Sequence, residues 1–443
     1  MLMTAHPLAL RVRAALAALI LGLLTTLLPL NTAHPAAQTR SLASALPPPP
    51  PPAAELREPR GEVRALWVTR SALATPDQVT RLVQDARDAG FNTLLVQVRG
   101  RGDAWFLNGL EPRAAALAGA PATFDPLAQT LTQAHAAGLR VHAWVNVNLV
   151  ASVALMPHEA THLVNLHPDW LMVPRPLAHE LSGMDPRRPQ YVARLAAWSR
   201  NHASTIEGLY ASPIPIEAAH YLEAIVRDLA ARYPIDGLHL DYVRYPTSDF
   251  DYSAGALTAF RASLIDELST PERARLEARR RTDPLVYVNT FPERWTKYRR
   301  TRLTDLVARL RAAVKKERPN ALISAAVKPD AREAANERLQ DWQDWAARGL
   351  LDVICPMAYT PNLPQFARTV TGAGRSAAPQ QLWAGIGAYR LDSAQTVAHI
   401  QAARAAGAQG IALFSYDSLT GPALRTIGRT AFGDAAVAVA STH

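Results

Sequence analysis

The stretch Gly237-Leu238-His239-Leu240-Asp241-Tyr242-Val243 decides the fold. Successive side chains of an extended strand point to opposite faces. Leu238, Leu240 and Tyr242 therefore share one face, and His239 and Asp241 share the other. The leucine face suits a layer of helices, so the polar face looks into an enclosed space, with Asp241 near the C-terminal end of the strand. Outward from this stretch, seven further β-branched runs follow the same pattern, at 63–69, 93–99, 140–146, 322–327, 352–358, 382–386 and 410–415. Between them lie segments with apolar residues three and four apart, such as Val79, Leu82, Val83 and Ala86, the spacing of amphipathic helices. Glycines 90, 138, 349 and 407 close several of these helices just before the next strand. Eight strands with helical crossovers predict an α/β fold of the (β/α)8 TIM-barrel type. Long insertions are expected in the βα loops after strands 3 and 4, over residues 147–234 and 247–320, the second with an extra strand over 285–290. A doubly wound open sheet is the rival, but no glycine-rich phosphate loop follows the first strand.

The chain has 443 residues, 49% of them hydrophobic, and a formal net charge of +9. That composition excludes a disordered or fibrous protein. The single cysteine, Cys355, excludes an internal disulfide and any cysteine-based metal cluster. The positive charge is spread along helical faces without interleaved aromatics, so no nucleic-acid partner is expected. Arg11 and Arg13 precede an apolar run over 14–30, the pattern of an export signal. Residues 1–37 are thus expected to be a signal peptide or N-terminal anchor, with no cysteine to support a lipid anchor. Residues 38–60, with an unbroken proline run at 47–52, are expected to form an extended linker. The barrel is assigned to 61–433 and a short tail to 434–443. The protein is expected to be exported, as a periplasmic, extracellular or membrane-anchored form, and to meet a membrane only if the N-terminal segment stays uncleaved.

Strand alternation also turns Gln97 and Arg99 inward on the second strand, and His142, Trp144 and Asn146 inward on the third. Met357 and Tyr359 fall at the top of the sixth strand and Trp383 on the seventh. Asp103 and Trp105 follow strand two, Arg244 follows strand four, and Lys328 and Asp330 follow strand five. Carboxylates mixed with aromatic rings, amides and guanidinium groups suit sugars, whose apolar faces stack on rings while their hydroxyls take polar partners. Competing structural roles exist. Asp330 could cap the helix that follows it, and Trp383 could be core.

The blocks at 62–68 (EVRALWV), 90–102 (GFNTLLVQVRGRG) with Asp103, and 235–246 (IDGLHLDYVRYP) resemble the glycosyl-hydrolase-like 10 family of bacterial proteins. The blocks at 138–146 (GLRVHAWVN), 167–170 (HPDW) and 351–360 (LDVICPMAYT) resemble it too. The resemblance implies a secreted barrel hydrolase of bacterial polysaccharides, and members include an enzyme that cuts peptidoglycan glycan strands stripped of their peptides. Many members carry two adjacent aspartates at strand four. Here the first matches Asp241 and the second position is Tyr242, so only Asp241 transfers.

Hydrolysis of a glycosidic bond generally needs two carboxyl groups. The expected pair is Asp241 with Asp330, and Asp103 is the second choice of partner. Arg99, Asp103, Trp105, Asn146, His239, Arg244, Tyr359 and Trp383 are the residues expected to contact a polysaccharide substrate, peptidoglycan or another envelope glycan. Two rivals belong to other classes. A non-catalytic glycan-binding barrel is one; a metal-dependent deacetylase using His142, His239 and Asp241 is the other. With no helical HExxH and no compact ligand cluster, no metal or cofactor is expected. A serine hydrolase lacks its GxSxG elbow.

Overall fold

A computed structural model describes residues 61–433; the expected leader, linker and tail lie outside the described residues. The strands are β1 (Val63–Val68), β2 (Thr93–Arg99), β3 (Arg140–Asn146), β4 (Leu149–Ala151), β5 (Leu209–Tyr210), β6 (Gly237–Asp241), β7 (Leu322–Val327), β8 (Val353–Pro356), β9 (Gln381–Gly387) and β10 (Gly410–Phe414). Eight of them close a parallel barrel in the order β1-β10-β9-β8-β7-β6-β3-β2, while β4 and β5 pair antiparallel outside it. The TIM-barrel architecture predicted from the alternation is the one observed.

The two faces divide as that pattern requires. Leu66, Val68, Leu94, Val96, Val98, Val141, Val145, Leu238, Leu240, Ile323 and Ile354 pack outward in one large core with the helices. Val63, Ala65, Trp67, Leu95, Trp144, Val353, Cys355, Trp383 and Ala412 form a separate apolar cluster inside the barrel. Layers of inward side chains fill the barrel, so it is a packed core rather than a pore. His142 sits low, tilted against Trp383 with ring centroids 5.4 Å apart. His239 lies above it, accepting from or donating to its neighbours at 2.9 Å: its Nε2 takes the Trp67 indole N–H and its Nδ1 pairs with Ser324 Oγ.

Several expected strand ends are trimmed. The sixth strand in chain order stops at Asp241 because Tyr242 turns to φ +49°, and a left-handed residue cannot continue a pleat. The strand expected over 285–290 is instead the helix Val286–Thr290; its β-branched valines are buried against Phe260 and Trp295 in a satellite core, and tertiary packing overrides their strand preference. The insertion after β3 opens with β4 and returns to it with β5, an antiparallel pair whose strands are too short to show any period in the sequence. The insertion after β6 is helical, ending in the 26-residue helix Pro292–Glu317 that leads into β7.

Candidate active site

Asp241 ends β6 at the mouth of a cleft of about 330 Å³ above the barrel core. Register explains its neighbours: β3 pairs with β6 so that Trp144 lies beside His239 and Asn146 beside Asp241. Around the opening stand Trp67, Arg70, Gln97, Arg101, Trp144, Asn146, Tyr242, Arg244 and Tyr359, and Asp241 is the sole acid among the described residues that line it.

Polar groups on the floor are chained together. Arg70 donates through Nη1 to Gln97 Oε1 at 3.0 Å, Trp144 Nε1 donates to Asn146 Oδ1 at 2.9 Å, and Asn146 Nδ2 donates to the Gly100 carbonyl at 2.8 Å. Fixed amide donors and acceptors of this kind can hold sugar hydroxyls without reorganising. Aromatic rings form the opposite wall. Tyr359 stacks on Phe414 with centroids 5.5 Å apart, and Tyr389, half-exposed, meets both edge-on at 6.1 Å.

Asp241 is buried, and burial raises its carboxyl above the usual range. Two contacts oppose that rise: the Arg244 guanidinium, whose Nη1 is 3.9 Å from Oδ1, and the Tyr242 backbone N–H, which donates to Oδ1 at 2.6 Å. Arg244 also lies 4.3 Å from the Tyr242 ring centre, so the left-handed turn presents both a backbone donor and an aromatic face to this cluster.

A second carboxylate shares the same guanidinium. Arg244 Nη2 donates to Glu207 Oε1 at 2.9 Å, and the Tyr210 hydroxyl donates to Glu207 Oε2 at 2.6 Å. Partial burial works to raise the Glu207 carboxyl, but Arg244 and Tyr210 outweigh it and hold it below the usual range. Glu207 is placed by the β4–β5 pair. A Cβ on Gly208 would sit 2.0 Å from the Ala151 carbonyl, so only glycine lets β5 approach β4 this closely. Both carboxylates touch one planar guanidinium, which caps their separation at about 9 Å.

Of the residues expected to contact substrate, the structure brings Asp241, Asn146, Arg244 and Tyr359 together at the cleft. The others stand elsewhere. Asp330, the expected second acid, is exposed and serves as the N-cap of the helix Ala331–Glu337, accepting from the Glu333 N–H at 2.8 Å. Asp103 tightens the loop after β2, its Oδ1 taking the Gly100 and Arg101 N–H groups and its Oδ2 the Trp105 indole N–H at 3.3 Å. Arg99 is buried in a bidentate pair with Glu111, both contacts at 2.6 Å, and its Nη1 caps the Asn146 and Val147 carbonyls. Trp105 is buried in the outer core. His239 and Trp383 belong to the layers beneath the cleft. Residues missed from sequence are Glu207, Arg70, Arg101 and Tyr389. Tyr389 had a readable signal, since it is an aromatic two residues past the C-terminal end of a barrel strand.

Comparison with known proteins places these features in context. A family model described as glycosyl hydrolase-like 10 matches residues 62–399. The Escherichia coli (strain K12) protein named glycosyl hydrolase DigH is 24% identical over 299 residues, 63% of this chain and 57% of that protein. The Bacillus subtilis (strain 168) protein named glycosyl hydrolase YngK is 23% identical over 202 residues, 42% of this chain and 34% of that protein. The match thus spans about a third to somewhat over half the length of these relatives. Among solved structures, the PgaB (BpsB) glycoside hydrolase domain from Bordetella bronchiseptica superposes with a TM-score of 0.56 at 16% identity, covering 83% of this chain and 98% of that one, and so shares its fold.

Proposed function

The chain belongs to the glycosyl hydrolase-like 10 family, and from that premise we propose that it is an exported glycoside hydrolase of a bacterial envelope polysaccharide, with peptidoglycan glycan strands as the substrate. One observation carries the reading: a buried aspartate at the C-terminal end of a barrel strand is the sole described acid of a cleft otherwise lined by amides, guanidinium groups and aromatic rings. Such a position is where barrel enzymes keep their chemistry.

Asp241 is the general acid. A carboxyl raised by burial is protonated at higher pH than an exposed one and can donate to the departing glycosidic oxygen. Glu207 replaces Asp330 as the second carboxyl. Held ionised by Arg244 and Tyr210 and set behind Arg244 rather than in the cleft lining, it acts as base toward a water between the two carboxyls. Two acids pushed in opposite directions by their surroundings are the usual mark of an acid–base division of labour. Their maximum spacing fits within the roughly 5–9.5 Å that spans both retaining and inverting enzymes. Asn146 and Gln97 hold hydroxyls on the floor, and Tyr359 and Tyr389 offer ring faces to a pyranose.

Digestion of purified, peptide-free peptidoglycan strands, with the new ends identified by mass spectrometry, tests this directly. Shortened strands with new reducing termini are expected. Intact strands, together with intact forms of other envelope glycans, would overturn the reading in favour of a barrel that only binds.

A further inference from the structure

Four arginines stand around the upper end of the barrel, and they divide into two kinds. Arg99 is matched to Glu111, and Arg244 is matched to Glu207 and Asp241. Arg70 and Arg101 line the cleft and make no ion pair among the described residues. Arg70 Nη1 rests on the neutral Gln97 amide oxygen at 3.0 Å, and Arg101 Nη1 on the Gly100 carbonyl at 3.1 Å. Arg101 Nε is buried with no hydrogen-bond partner at all.

The acids of the flanking loops are already engaged. Asp103 spends both oxygens on the Gly100 and Arg101 N–H groups and the Trp105 indole. Asp417 spends both of its own on Thr69 and Ser71. Burial and the neighbouring Arg101 charge work against the positive charge of Arg70, and the Asp103 carboxylate offsets them only in part. Two like charges facing one half-buried space are unfavourable until an anion joins them.

This arrangement is built into the backbone. A Cβ on Gly100 would lie 2.8 Å from Arg70 Cδ and Nη1, so the glycine is the bed on which that side chain lies. The Arg101 carbonyl is pinned by His162 Nε2 at 2.8 Å, a buried histidine of the insertion after β3. The motif Arg99-Gly100-Arg101-Gly102-Asp103 therefore anchors itself with its first arginine and offers its second to the cleft.

We propose that Arg70 and Arg101 form an anion subsite that takes a carboxylate ether-linked to the glycan, in the ring bound next to Asp241. The proposal rests on the cleft being the glycan site, and it adds a selectivity that a neutral-sugar site would lack. Guanidinium pairs bind carboxylates through short, charge-assisted hydrogen bonds, often two at once.

The test compares peptide-free peptidoglycan strands, whose ether-linked carboxyls are free, with the same strands after those carboxyls are reduced to alcohols. Affinity is read by calorimetry on the full chain and cleavage by mass spectrometry. The wild type should bind the acidic strands roughly 10- to 100-fold more tightly than the reduced ones. In Arg70→Gln and Arg101→Gln the affinity for acidic strands should fall toward that for reduced strands, closing the gap. Equal wild-type affinity for the two forms overturns the subsite even if both are cleaved. Selective binding of acidic strands without any cleavage upholds the subsite and overturns the hydrolase reading instead. A gap that survives both substitutions also sinks the assignment.

Discussion

Glu111→Gln is the substitution whose effect the structure fixes most tightly. Glu111 and Arg99 have side chains 2% and 1% exposed and meet through two contacts of 2.6 Å. Glutamine keeps the shape but leaves the guanidinium buried without a counter-charge. Removing one partner of a buried pair costs about 3–5 kcal/mol, because the remaining charge is stranded. Solvent screening does not reduce that figure, since neither group reaches water. For a barrel of this size the loss lowers the melting temperature by roughly 4–6 °C. Differential scanning calorimetry measures it. The double substitution Arg99→Met with Glu111→Leu should recover only part of the loss, because methionine leaves the Asn146 and Val147 carbonyls without their donor. A Glu111→Gln protein melting within a degree of wild type would refute this reasoning. So would an Arg99→Lys variant that melts normally but binds glycan far more weakly, since Arg99 would then have to reach substrate.

Other expectations follow from single contacts. Burial holds His142 near pKa 4 and His239 near 3, well below the ordinary value of 6.5; the unfolded chain then binds protons that the folded chain refuses, so stability is full above pH 6.5 and falls as pH drops toward 4, by up to about 2.7 kcal/mol per pH unit for the two together, and a pH series of melting curves flat from 7 to 4.5 would contradict it. Asp330→Ala should cost about 1 kcal/mol through the lost cap while kcat/KM stays unchanged, and loss of activity in a folded protein would restore Asp330 to the site. Gly208→Ala should lower kcat by pushing β5, and Glu207 with it, off β4 and away from Arg244; wild-type kcat would show that the β4–β5 pairing does not position the second acid. The pH profile of kcat/KM should be bell-shaped, with the alkaline limb set by Asp241 and the acid limb by Glu207, and Glu207→Gln should lower the rate strongly and remove the acid limb; an unaltered profile would exclude Glu207.

The barrel was legible because a two-residue period with leucines on one face leaves little freedom: once Leu238 and Leu240 face the helices, His239 and Asp241 must face inward. That same period was blind along the strand axis. Trp383 points inward, but it stands four residues before the end of β9, and that depth puts it among the filling layers rather than at the mouth. Alternation failed at Arg99: the pairing with β3 shifts register between Gln97 and Arg99 and sets Arg99 beside the outward-facing Val145, and its partner lies in a loop twelve residues on, a pairing no local pattern announces. Asp330 carried a signal for its actual role, since a glutamate three residues later is the spacing of a helix start. Glu207 carried none. Its position depends on the pairing of two strands of three and two residues, far apart in the chain, and on an arginine 37 positions away, and only the folded chain brings these together.

The role given to Asp241 is tested most directly by Asp241→Asn, measured for both cleavage and binding of peptide-free glycan strands. Asparagine keeps the shape and can still accept the Tyr242 N–H, but it cannot protonate a leaving oxygen. The account predicts that cleavage falls by at least about a hundredfold while affinity stays within a few-fold of wild type. Cleavage at the wild-type rate by the folded variant would contradict it.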